Sequence, residues 1–454
     1  MLQDYYEYMG TLIIKNVGPI KCLNIDLNRF NIFIGPQSSG KSTIAKIISF
    51  SHWLEKDILV HQSTDYIETS TFIEENLIKF HKLKGYINEN SFISYYGDVV
   101  KFQIEGKNKF TIEKENSFED KKVGKIAYIP SERNLITLQG IESLPLPRDN
   151  MRTFLFDWLS VHRKYDENNT FNILDLGVKF YFDENNRQDT ILLENGNKIS
   201  LYAASSGLQS IVPLCVYFYD VVRWVYDHIE DISFQKRNLY LNLIYDPFLR
   251  SLRKKGIIDD NMLTDQQRKE ELVETLTSIT TELRKAFPKL GDTKISPSIE
   301  KILRLEDNIT KPHFSSIIIE EPEQNLFPKT QETLLYYLLG LIDKSRDKLV
   351  ITTHSPYILY ALNNCMLGWI VKDNIKNEDE IEAIKFKDSW VNPKDVSVWE
   401  LRNGYIIGLD KKENKTIQDQ DGLISSNYFD RIMKNITTDF AELLQYIPEN
   451  ESIF

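Results

Sequence analysis

With 454 residues, 42% of them apolar and 12% aromatic, the chain has ample material for a packed core, which excludes a globally disordered protein. Its three cysteines, Cys22, Cys215 and Cys365, are scattered without a CxxC pair, which argues against a disulfide scaffold or a structural zinc and fits a reducing compartment. A net charge of −11 excludes a protein whose whole surface grips nucleic acid and leaves room only for a local basic patch or a partner.

The opening MLQDYYEYMG has no basic and then apolar leader. The apolar run Ile211–Tyr219 is too short to span a bilayer, so the expected location is the cytoplasm. Residues Thr11–Gly35 alternate apolar and polar side chains and read as three short strands. From Lys41 the pattern turns helical, with Ile44, Ile47, Ile48 and Trp53 on one side. Phe92–Glu113 and Gly177–Leu201 read as antiparallel hairpins turning at Gly106 and Gly196. Lys125–Ile129 reads as a strand stopped by Pro130.

A mostly apolar helix is expected from Leu208 to about Asp231, followed by a more polar helical stretch over Ser233–Thr310. Phe314–Glu320 suits a buried parallel strand. A helix over Thr330–Lys344, a strand over Lys348–Thr353, a hairpin over Val396–Leu409 turning at Asn403-Gly404, and an amphipathic helix over Ser426–Tyr446 complete the expectation.

Three short stretches carry chemistry. Gly35-Pro36-Gln37-Ser38-Ser39-Gly40-Lys41-Ser42-Thr43 matches G-x-x-x-x-G-K-[ST] in full, between an expected strand and an expected helix. Glycines let such a loop curl its N–H groups inward around anionic oxygens, and the helix N-terminus adds roughly half a positive charge. Lys41 is then expected at the β- and γ-phosphates and Ser42 on Mg²⁺. Next, the strand ending at Glu320-Glu321 places two adjacent carboxylates on opposite sides of the chain. Glu320 suits the metal and Glu321 the polarisation of an attacking water. Finally, His354 ends the strand Lys348–Thr353, where open α/β sheets hold their ligands, and is expected to meet the γ-phosphate.

Together, Gly35–Thr43, Ile317–Pro328 and Thr352–Pro356 resemble Walker A, Walker B with its D-loop, and the switch histidine of the ATP-binding-cassette superclass. The likeness is to the soluble branch containing RecF, SMC heads and the OLD-type ATPases. Leu12–Lys21 is similar to that branch's first strand. Tyr128–Arg133 resembles the strand end that carries its Q-loop or arginine, so Arg133 is implied as a nucleotide contact. Ala204–Gln209 resembles a signature motif, which implies that Ser205, Ser206 and Gly207 close over the nucleotide of a second subunit. Three departures stand out: Glu320 replaces the usual Asp, Leu208 stands where Gln or Glu is expected, and about 110 residues separate Gly207 from Glu320. That separation argues against a transporter subunit and for an OLD-like architecture.

The expected fold is α/β: a P-loop head of ATP-binding-cassette type with a mixed central sheet, an antiparallel β part and a helical insertion. The expected units are the first part of the head (1–219), the insertion (220–310), the second part of the head (311–409) and a C-terminal helical segment (410–454). The resemblance implies an ATP- and Mg²⁺-dependent switch that dimerises head-to-tail and serves DNA repair or anti-phage defence with a separate effector such as a nuclease. Two rival readings stay open. In one the chain is a self-contained nuclease, with Asp419-Gln420-Asp421-Gly422 as the DxD of a Toprim site. In the other it is a scaffold that binds ATP without turnover. Arg250, Arg253, Lys254 and Lys255, beside Tyr245 and Phe248, form a basic cluster that reads as a solvated helix face or a nucleic-acid contact.

Overall fold

The computed structural model describes residues 10–61, 64–67, 70–107, 109–114, 121–227, 304, 308, 311–375, 377–408 and 415–446. Most of the expected insertion, with its basic cluster at Arg250–Lys255, lies outside the described residues.

Among the described residues eleven strands form one mixed sheet in the order β6-β5-β4-β1-β2-β15-β14-β3-β13-β12-β7. Its strands are β1 (Thr11–Val17), β2 (Ile20–Asp26), β3 (Phe30–Ile34), β4 (Phe92–Tyr96), β5 (Val100–Glu105), β6 (Lys109–Lys114), β7 (Gly124–Ile129), β12 (Phe314–Glu320), β13 (Lys348–Thr353), β14 (Val396–Arg402) and β15 (Tyr405–Ile406). The half from β14 to β7 is parallel, and the half from β6 to β2 is antiparallel. A separate antiparallel sheet holds β8 (Phe171–Asn172), β9 (Val178–Asp183), β10 (Gln188–Leu193) and β11 (Lys198–Ser200). Both expected hairpins are longer meanders, because further turns at Gly97–Val99 and Asp183–Arg187 fold them again.

The parallel strands are apolar on both faces, as strands covered on both sides must be. Along β12, Ile317 and Ile319 enter one core while Ile318 enters the other, and Leu349, Val350 and Ile351 of β13 alternate likewise. Helix α1 (Lys41–His61) fills one face with Ile44, Ile47 and Ile48. Among the described residues the other face is covered by α2 (Asn150–Val161), α3 (Ser206–Tyr219), α4 (Pro328–Leu341) and α5 (Pro356–Val371). The chain stays helical past α3 through a wide turn at Asp220–Trp224 to Asp227, so no break falls at the expected 219/220 boundary.

Helix α6 (Tyr428–Leu444) opens with a capping box between Asn427 and Asp430 and exposes Met433, Ile436, Phe440 and Leu443. Just before it, Asp419 Oδ1 accepts the backbone N–H groups of Asp421 and Leu423, each at 3.0 Å. This carboxylate closes its own turn, which fits a loop better than a metal-binding DxD. Among the described residues no helix is long and apolar enough to cross a membrane.

Candidate nucleotide site

Parallel pairing sets Ile34 beside Thr353 and Glu320 beside Thr352, so β3, β13 and β12 end along one edge of the sheet. Each delivers one of the three motifs there. Gly35 and Gly40 have φ of 148° and 106°, in the region that favours glycine, and Ser38 joins them at 58°. A Cβ on Gly35 would lie 2.4 Å from the Leu401 carbonyl oxygen, and one on Gly40 would lie 2.7 Å from Ile20 Cγ1. The sheet therefore reaches close to the loop's backbone from behind, and the loop needs its glycines for space as well as for φ. Pro36, Gln37 and Ser39 complete the turn, and Thr43 lies on the buried side of α1.

Lys41 folds back over this loop, its Nζ donating to the carbonyls of Gly35 and Pro36 at 2.9 Å each. Burial pushes its pKa down to about 8, against the pull of Glu321 and Glu323. Ser42 donates to the buried carboxylate of Glu320, which Tyr128 also holds. Burial raises the pKa of Glu320, with Lys46 and Ser42 opposing.

Glu321 adopts φ 45°, a left-handed conformation uncommon for a non-glycine residue, while its N–H still bonds Thr352 O at 2.8 Å. The turn brings its Oε1 to 3.5 Å from His354 Nε2. That hydrogen bond, with further help from Lys41 and Arg133, holds Glu321 below the usual carboxylate range and keeps it in the base form. Glu323 accepts the His354 backbone N–H at 2.5 Å and is itself raised by burial. Glu323 is a site residue outside the three motif assignments, and its signal is the third carboxylate of the run Glu320-Glu321-Pro322-Glu323. Ser355 caps α5 by accepting from the N–H groups of Tyr357 and Ile358.

The residues present fit a magnesium triphosphate. Ser39 Oγ, Thr352 Oγ1 and Glu323 Oε2 are buried along this edge without a hydrogen-bond partner. Ser42 and Glu320 supply the hard oxygen donors that magnesium prefers.

The signature residues behave differently. Ser205 and Ser206 are exposed, and Ser205 caps α3 by accepting from Leu208 N at 3.4 Å. Among the described residues no hydrogen bond joins 205–207 to the phosphate loop. Gly207 instead packs against the D-loop of its own chain, where a Cβ would stand 3.0 Å from Asn325 O.

Arg133 departs from expectation. It is 0% exposed, and its five N–H donors all go to backbone carbonyls: Nε to Ser210, Nη1 to Pro130 and Glu320, Nη2 to Glu321 and Pro322. A guanidinium has five donors, so none remains for a nucleotide. Arg133 instead clasps the Glu320–Pro322 turn to α3. Arg133→Met should leave buried carbonyls unpaired and cost on the order of 3 kcal/mol or more. Denaturant unfolding checks this, and an unchanged midpoint would remove the clasp from the account.

No curated protein is significantly similar to the chain. An SMC head domain from Thermotoga maritima is 11% identical at a TM-score of 0.30, covering 77% of this chain and 90% of that one. A structure titled as the recombination mediator RecF is 13% identical at 0.27, covering 88% and 97%. The dimeric ATP-binding cassette MJ0796 is 11% identical at 0.26, covering 89% and 98%. Likenesses this faint add no weight of their own. Two family models do match: an AAA domain over residues 11–291 and an AAA ATPase domain over residues 298–359. The first spans more than half of the chain and includes the phosphate loop, and the second includes both carboxylates and His354. The chain belongs to the AAA-domain family of ATPases.

Proposed function

We propose that the chain binds Mg²⁺-ATP at the strand edge formed by β3, β12 and β13 and hydrolyses it as a molecular switch. One observation carries this reading: Lys41, the Ser42–Glu320 pair and the Glu321–His354 pair converge there from three separate motifs. Lys41 would exchange its two carbonyl partners for phosphate oxygens. Ser42 and Glu320 would hold the magnesium, which when bound would neutralise charge between the β- and γ-phosphates. Glu321, kept ionised by His354, would take the proton of the attacking water, with His354 oriented through its backbone by Glu323.

The exposed Ser205–Gly207 cap suits a γ-phosphate held by a second copy, in a closed twofold pair. By the resemblance to the OLD-like branch, nucleotide-driven pairing would work a separate effector in DNA repair or anti-phage defence, in the cytoplasm. Each nucleotide should then need Lys41 from one chain and Ser205 from the other. Mixing Lys41→Ala and Ser205→Arg proteins should restore phosphate release that neither has alone, because one intact site forms per heterodimer. If the mixture stays inactive and ATP causes no association of the Glu321→Gln protein by light scattering, Ser205–Gly207 is only a helix cap.

A further inference from the structure

Strands β7, β12 and β13 are parallel, so Gly124, Phe314 and Lys348 at their beginnings lie at the edge of the sheet remote from Glu320 and His354. Helix α1 starts at the phosphate loop and reaches that remote edge with its later turns. At 1.5 Å per residue, Glu55 lies roughly 20 Å along it from Lys41. A cavity of about 180 Å³ opens there between α1, the β4–β5 turn and the segment leading into β7. Its charged lining is four lysines (Lys56, Lys121, Lys122 and Lys348) against Glu55 and Asp98. In a chain of net charge −11, this is a local reversal of sign inside a concave site.

The wall also holds an unused polar group. His52 is buried, its Nδ1 lies 2.7 Å from Ser316 Oγ, and its Nε2 has no partner. Burial, aided by the charge of Lys348, pushes the ring's pKa down to about 3, so the imidazole is neutral. The Ser316 contact leaves Nε2 as the ring's free nitrogen, and an anion beside it selects the tautomer with the hydrogen on Nε2 and the Ser316 hydroxyl donating to Nδ1. Glu55 accepts from Val99 N at 3.2 Å, and burial raises its pKa to about 7, against the pull of Lys348.

We propose that this cavity binds a single phosphate group, either free or as a small phosphomonoester, with Lys122 and Lys348 supplying charge and His52 Nε2 a directed hydrogen bond. At about 180 Å³ the space is large enough for one phosphate with a small substituent. The site is separate from the phosphate loop and stands whether or not ATP is hydrolysed.

The test uses the full-length Lys41→Ala protein, so that the phosphate loop does not contribute, with calorimetric titration of inorganic phosphate and of ribose 5-phosphate. One saturable site with a Kd below about 1 mM is expected for at least one of the two. The tighter probe tells whether the free ion or the monoester is the ligand. Lys122→Gln, an exposed position that folding tolerates, and Lys348→Met should together weaken binding about tenfold or more. Glu55→Gln should tighten it, because a buried negative charge beside the anion is removed. No saturable binding up to about 10 mM, or binding indifferent to both lysine substitutions, would overturn the proposal.

Discussion

Replacing Glu321 by Gln should leave ATP bound and slow its hydrolysis by roughly 10²–10⁴-fold. The argument rests on the difference between two neighbouring carboxylates. Glu320 is buried, bonded by Ser42 and Tyr128, and raised toward its neutral form until a cation compensates it. Glu321 is half exposed, bonded to His354, and lowered, so it is ionised and open to water near neutral pH. Glutamine fills the same space and keeps a hydrogen bond to His354, yet it cannot accept a proton. Single-turnover phosphate release, paired with a nucleotide-binding titration, separates the two effects. Hydrolysis at the parental rate would move the base to another group, with Glu323 the nearest candidate.

Lys41→Ala should abolish measurable nucleotide binding, a loss of at least about 100-fold, because the backbone nest alone cannot neutralise a triphosphate. In the folded chain Lys41 already lies over the loop, 2.9 Å from each of two carbonyls, so little rearrangement separates it from phosphate oxygens. Its lowered pKa of about 8 adds a pH signature. Below that value the ammonium is present to meet the triphosphate. As pH rises through it the charge is lost, so parental affinity should fall above about pH 8. Retained affinity in the Lys41→Ala protein would place the nucleotide elsewhere.

Much of the head was legible because its signals are local. The G-x-x-x-x-G-K-S loop must follow a strand and open a helix, and β3 and α1 flank it as expected. Strands β12 and β13 were legible as apolar runs too short for helices and ending in chemistry, and they match Phe314–Glu320 and Lys348–Thr353 residue for residue. Helix α5 has a local start signal in Ser355 and Pro356, a cap and first-turn pair directly beside His354. Helix α2 was missed behind Asp149, whose side chain caps it by accepting from Arg152 N at 2.9 Å.

What stayed hidden depends on contacts between distant segments. Nothing in the stretch around Tyr128 announces that its hydroxyl reaches Glu320, 192 residues further on. Arg133 was implied as a nucleotide contact by the resemblance of Tyr128–Arg133 to a strand end that carries a Q-loop or arginine. Its burial among five carbonyls is a property of how β7, the Glu320–Pro322 turn and α3 meet, which no local pattern encodes.

The most direct test of the central claim is steady-state phosphate release from ATP by the purified full-length protein, with and without magnesium, beside Lys41→Ala and Glu321→Gln. Magnesium-dependent release is predicted for the parent and for neither variant, with nucleotide still bound by Glu321→Gln. Tight nucleotide binding by the parent with no release above background, at any magnesium concentration, would contradict the account and make the chain a nucleotide-binding scaffold.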